Sequence, residues 1–168
     1  HLDARDGAAI AAAAERHGAV DILFNCAGFV HNGTLLEATE DEWDFAFDLN
    51  VKSMYRVCRA FLPAMLENGG GSIVNIGTVL ITHSMASLPA SAALITKGGV
   101  HALTTSLASE LAVDNIQVNA VAPGAIRTPL YGDADVDAFG GVALMNRVGE
   151  VQEITEAVIH LATASFTT

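Results

Sequence analysis

The sequence predicts an α/β chain built on a doubly wound parallel sheet, and three observations carry that prediction. Helix-period and strand-period segments alternate along the 168 residues, with glycine or polar punctuation between them. The strand-like segments are short and apolar, with no polar face, as buried parallel strands are. The helical stretches between them are long enough for the right-handed crossovers that parallel pairing requires.

Ala8 to His17 reads as an alanine-rich helix, with Gly18 placed to close it. Ile22 to Asn25 is a short apolar run bounded by Asp21 and Gly28, hence a buried strand. Thr39-Glu40-Asp41-Glu42 forms a capping box and opens a long helix that runs to Leu66 and stops at Gly69-Gly70-Gly71. Ser72 to Ile76 is a second strand, rich in β-branched residues. A loop follows from Gly77 to Pro89. Ser91 to Val113 reads as a second long helix, interrupted at Gly98-Gly99, and Ile116 to Ala122 as a third strand ending at Pro123-Gly124. Ala125 to Gly149 shows no clear period, and Val151 to Ala162 is a terminal helix. The three strands are expected side by side in chain order.

In such a sheet the ligand crevice lies beyond the carboxyl ends of the strands. It is therefore readable as Asn25 to Gly28, Gly77-Thr78 with the following loop, and Pro123 to Thr128. These ends carry small or polar residues, and glycine lets a flat, nucleotide-like ligand approach the backbone.

Composition narrows the partners. A chain with 51% apolar residues and mean hydropathy +0.40 buries a core, and residues 1–168 read as one incomplete domain. With 19 acidic against 8 basic side chains, a net charge of -11 opposes nucleic acid and anionic lipid and leaves a small-molecule substrate as the expected partner. Cys26 and Cys58 form neither a disulfide framework nor a zinc pattern, which suits the reducing cytoplasm. No apolar run approaches the roughly 18 residues of a membrane span.

Four motifs occur together: Asn25-Cys26-Ala27-Gly28, Leu49-Asn50-Val51, Thr96-Lys97-Gly98-Gly99-Val100 and Pro123-Gly124-Ala125-Ile126-Arg127-Thr128-Pro129. Taken in this order and spacing, they resemble the short-chain dehydrogenase/reductase family. The segment from Phe24 to Leu66 is most similar to the branch of cytosolic 3-hydroxybutyrate dehydrogenase and 2-keto-3-deoxy-L-fuconate dehydrogenase. The resemblance implies a Rossmann-like fold, NAD or NADP as cofactor, a secondary alcohol or ketone of a small hydroxy acid or sugar acid as substrate, and a homodimer or homotetramer. It implies that Asp3 hydrogen-bonds the adenine and that Asn25, Ala27 and Gly28 line the adenosine ribose side. Asn50 is implied to hold a relay water from a helix backbone, and Lys97 to grip the nicotinamide ribose. Ile126 and Thr128, in the loop that begins at Pro123 and Gly124, are implied to receive the carboxamide. Catalytic roles are thus carried to Asn50, Thr78 and Lys97. Thr78, counted from Asn75, replaces the carbonyl-polarising serine, in a loop a residue or two longer than the family's. His83 and Ser84, in that loop, are possible substitutes.

Two departures qualify the resemblance. The family's catalytic tyrosine stands four residues before its lysine, and here that position is Ala93, which is expected to leave the space to water. Nor does any glycine-rich phosphate turn occur, so two βα units of roughly 30 residues each are expected before residue 1, together with the residue that chooses NAD or NADP. A last strand is expected after residue 168. The sequence therefore leaves two readings, a nicotinamide-dependent oxidoreductase and a non-catalytic binding or oligomerisation module of the same fold. Cys26 reads as packing, and His31, His101 and His160 as ordinary surface or helix histidines. Phe45, Met54, Phe61, Val100, Leu103 and Leu107 on the long helices suggest pairing with symmetry mates.

Overall fold

The computed structural model describes residues 1–168, the side chain of Val142 excepted. Three strands, β1 (Ile22–Asn25), β2 (Gly71–Ile76) and β3 (Ile116–Val121), form one parallel sheet in the order β1-β2-β3. Asn25 lies opposite Asn75, and Asn75 opposite Ala120, so the three strands end level with one another. This alignment gathers the crevice residues at one edge of the sheet.

Five α-helices accompany the strands: α1 (Gly7–His17), α2 (Glu40–Phe47), α3 (Ser53–Glu67), α4 (Ser91–Leu111) and α5 (Val151–Thr163). The Asp6 carboxylate caps α1 by accepting from Ala8 and Ala9 N–H groups, and Thr39 with Glu42 closes the capping box of α2. One sheet face carries Leu23, Ile73, Ile116 and Val118 against Met54, Cys58, Phe61 and Met65 of α3 and Val100, Leu107 and Leu111 of α4. On the opposite face lies α5, where the Ser72 hydroxyl donates to the Leu161 carbonyl. Helices on both faces make the sheet doubly wound.

Three expectations are corrected. The long helix from Glu40 is not uniform: a single π-helical turn, Asp48–Lys52, joins α2 to α3. The helix from Ser91 is not broken at Gly98-Gly99 but runs through both. Each glycine costs about 1 kcal/mol of helix propensity, and packing overrides that: a Cβ on Gly99 would come 3.4 Å from Val51 in the π turn, so the glycine sets how closely α4 meets that turn. Finally, Met54, Phe61, Val100 and Leu107 lie in the chain's own core rather than on an outer face. The large apolar side chains left exposed on these helices are Phe47, Tyr55, Leu66 and Ile95.

The segment Ala125 to Gly149 holds two 3-10 helices, Pro129–Tyr131 and Val136–Val142. It is clamped where Ile126 pairs with Gly149, and the Arg127 guanidinium binds Asp137 and Glu150. Among the described residues, no helix is long and apolar enough to cross a membrane.

Candidate active site

A ladder of carboxamides and hydroxyls underlies the level strand ends. Asn25 Nδ2 donates to Asn75 Oδ1 at 2.9 Å, Asn75 Nδ2 donates to Thr104 Oγ1 at 2.9 Å, and the Thr104 hydroxyl donates to the Val100 carbonyl. Both asparagines are buried, and each finds a partner, as buried amides must. The ladder fixes β1 to β2 and both to α4.

Asn50, fully buried, sits in the middle of the π turn. Its Oδ1 accepts from the Phe29 N–H, and its Nδ2 donates to the Phe29 carbonyl and to Thr96 Oγ1. A π turn widens the helix and shifts its carbonyls out of i→i+4 register, and such turns collect at functional sites. The displaced Leu49 carbonyl is taken by the Ser53 hydroxyl.

Lys97 reaches from α4 to the carboxyl ends of β1 and β2. It is 7% exposed, its Nζ donates to the Ile76 carbonyl at 2.7 Å, and burial lowers its pKa against the opposing effect of nearby Cys26. Gly28 closes the cluster: a Cβ there would lie 3.0 Å from Lys97 Nζ and 3.2 Å from Asn50 Oδ1. The structure thus brings Asn25, Gly28, Asn50 and Lys97 together, beside exposed Ala27.

Thr78 follows β2, half-buried, and joins the third strand end by donating to the Pro123 carbonyl at 3.4 Å while accepting from Leu80 N–H. Gly124 is open, with only Val79 within reach of a Cβ, at 3.8 Å. Ile126 and Thr128 are half-buried in the same loop. Asp3 is exposed, and its carboxylate is taken by Arg5 at 3.0 Å, which holds it below the usual carboxylate range.

Several sequence readings change. Cys26 is exposed at the end of β1, so it is not a packing residue. His31 is buried, with Nε2 3.5 Å from Glu42 Oε1. Ala93 is buried, at 5% exposed, and the loop after β2 turns through a 3-10 helix, Val79–Ile81, that packs on α4. Thr96, which the sequence places only within the lysine motif, and Thr104, which it does not single out, are the hydroxyl partners of Asn50 and Asn75. The available signal was their place on the lysine helix, Thr96 beside Lys97 and Thr104 two turns further along.

A family model described as enoyl-(acyl carrier protein) reductase matches residues 3–168. The chain belongs to the short-chain dehydrogenase/reductase family. Dehydrogenases of this family use NAD or NADP. The chain is 39% identical, over 99% of its length, to 2-keto-3-deoxy-L-fuconate dehydrogenase of Xanthomonas campestris pv. campestris, and covers 59% of that protein. It is 36% identical, over 96% of its length, to trans-4-hydroxycyclohexanecarboxylate dehydrogenase of Sinomonas cyclohexanicum, and covers 62% of it. A solved short chain dehydrogenase/reductase family protein superposes with a TM-score of 0.91 at 30% identity, covering 99% of this chain and 70% of that one.

The crevice has the character that a nicotinamide nucleotide needs. A buried ammonium uses one backbone acceptor and has further N–H donors to give, and glycine or alanine at Gly28, Ala27 and Gly124 leaves flat backbone beside it.

Proposed function

We propose that this chain belongs to an NAD- or NADP-dependent oxidoreductase acting on the secondary alcohol or ketone of a small hydroxy acid, sugar acid or similar substrate. The observation that carries this reading is the convergence of buried Lys97 and Asn50 with exposed Gly28 at the carboxyl ends of the strands. The bound cofactor supplies or accepts the hydride. Lys97 donates to its nicotinamide ribose hydroxyls. Ile126 and Thr128 receive the carboxamide, with Pro123 and Gly124 forming the turn that presents them. Asn25, Ala27 and Gly28 line the adenosine ribose side, and Asp3 exchanges its Arg5 contact for the adenine. The Thr78 hydroxyl polarises the substrate carbonyl, and Asn50 orders the relay water.

With alanine at 93 there is no phenol beside Lys97 to exchange the proton, and burial weakens the hold of Lys97 on its own. A positioned acid contributes about 10²- to 10⁴-fold, so turnover is slower than with a phenol by that order. Ala93 also favours a second reading, in which the chain binds the cofactor without turning it over.

The test compares the full-length protein with its Ala93→Tyr variant, using 3-hydroxybutyrate and sugar-acid alcohols with NAD and NADP. Slow turnover that tyrosine raises by about 10²-fold or more supports the reading. Cofactor binding without turnover in either form selects the binding module. Fast turnover that tyrosine does not improve shows that the donor lies elsewhere.

A further inference from the structure

His101 stands one helical turn beyond Lys97 on the same face of α4, opposite in direction to Ala93. A Cβ on Gly77 would overlap the His101 ring, so glycine and imidazole are complementary: the ring edge occupies the space that any side chain at 77 would fill. Its Nε2 is buried there and makes no hydrogen bond among the described residues. In the same peptide unit, the Ile76 carbonyl takes the Lys97 ammonium at 2.7 Å. The Ile76–Gly77 peptide thus carries the Lys97 ammonium on its carbonyl and has the His101 ring beside its glycine, both side chains coming from one helix.

The charges around this pair are few. Cys26 faces Lys97 from the end of β1. The segments β2 and β3 and the Val79–Ile81 turn carry no ionisable side chain, and His83, just past that turn, is engaged with Thr82. In the segment from α2 to α3, Glu42 is held by Thr39 and His31 and Asp48 by Arg56, while Glu40, Asp41, Asp44 and Lys52 are exposed. Burial first, and the Lys97 charge second, hold His101 below the usual histidine range.

We propose that His101 is a positioning residue for Lys97: seated against Gly77, it backs the peptide whose carbonyl holds the ammonium, and its protonation sets a second positive charge beside Lys97 and loosens that hold. This rests on the reading of Lys97 as the residue that grips the cofactor ribose. Cofactor affinity then falls on the acid side with the titration of one imidazole. The fold accounts for the glycine at 77 by the same contact, because any larger residue expels the ring.

Two measurements test it. The ring resonances of His101, assigned with His101→Gln, are followed against pH in the full-length protein and in Lys97→Met. The midpoint is expected below the usual histidine range and to rise when the ammonium is removed; a midpoint that does not move overturns the proposal. NADH and NADPH are then titrated by fluorescence across the same range. Affinity is expected to fall about 3-fold or more through the His101 transition, and His101→Gln, which needs no change at Lys97, abolishes that transition. The same fall in the glutamine variant overturns the proposal. If neither nucleotide binds at any pH, the functional reading fails, while the resonance titration still decides whether His101 and Lys97 are coupled.

Discussion

The Asn50 carboxamide completes both hydrogen bonds of a single backbone residue, Phe29, accepting from its N–H at 2.7 Å and donating to its carbonyl at 2.9 Å. A side chain thereby stands in for a neighbouring strand and pins the loop after β1 to the π turn. Its remaining donor reaches Thr96, one residue before Lys97, so a single amide links the three segments that meet at the site.

Replacing Asn50 by leucine leaves the Phe29 backbone groups unpaired in the interior. The expected loss is about 2–4 kcal/mol of unfolding free energy, measured by urea denaturation. A loss under about 1 kcal/mol contradicts this account of the loop.

Gly28→Ala places a methyl group against Lys97 Nζ and the Asn50 amide. Overpacking of one methyl costs about 1 kcal/mol, which leaves the protein folded. Nucleotide affinity, measured by fluorescence titration, is expected to fall about 10-fold or more because the ammonium is displaced. Affinity equal to that of the wild type would place the nucleotide elsewhere.

Cys58, buried in the core, has its thiol pushed up to about 11 from an ordinary 9.0, chiefly by burial. Between these values the unfolded thiol gives up a proton that the native one keeps. The stabilisation is full below pH 9.0 and is lost as pH rises toward about 11. Denaturation midpoints are therefore expected to decline over this interval, and less steeply in Cys58→Val. A decline of the same slope in the variant contradicts the assignment. A thiol reagent labels exposed Cys26 at once and Cys58 only on unfolding.

The oligomer expected of the family, a homodimer or homotetramer, has to use surface that the chain's own core does not. Phe47 is 40%, Tyr55 47% and Ile95 51% exposed. Glutamate at all three is expected to reduce the mass measured by light scattering to that of one chain. An unchanged mass locates the interface elsewhere.

Strand-end residues were legible from the sequence because parallel strands flanked by long helices place their carboxyl ends at the ligand crevice, whatever the side chains. Asn25, Gly28, Asn50 and Lys97 do converge there. What escaped depended on contacts distant in sequence. Gly98 and Gly99 look like a helix break until Val51 is seen against the second of them. His31 and His101 look like surface histidines because their burial is supplied by the loop after β1 and by Gly77. Ala93 signals a missing phenol, and its 5% exposure, which the sequence does not show, means that a larger side chain must repack its neighbours. The tyrosine variant therefore tests the chemistry and the packing together, at a folding cost of about 1–3 kcal/mol that circular dichroism melts report.

The central claim is that Lys97, buried beside Asn50 and Gly28, holds a nicotinamide nucleotide at the strand ends. Its most direct test is titration of the full-length protein and its Lys97→Met variant with NADH and NADPH, followed by nucleotide fluorescence. Methionine keeps the bulk of the buried stem and removes only the charge and its donors. The account predicts saturable binding of at least one of the two nucleotides by the wild type, weakened about 10-fold or more in the variant. Equal affinity in both proteins, or no saturable binding by the wild type, would contradict it.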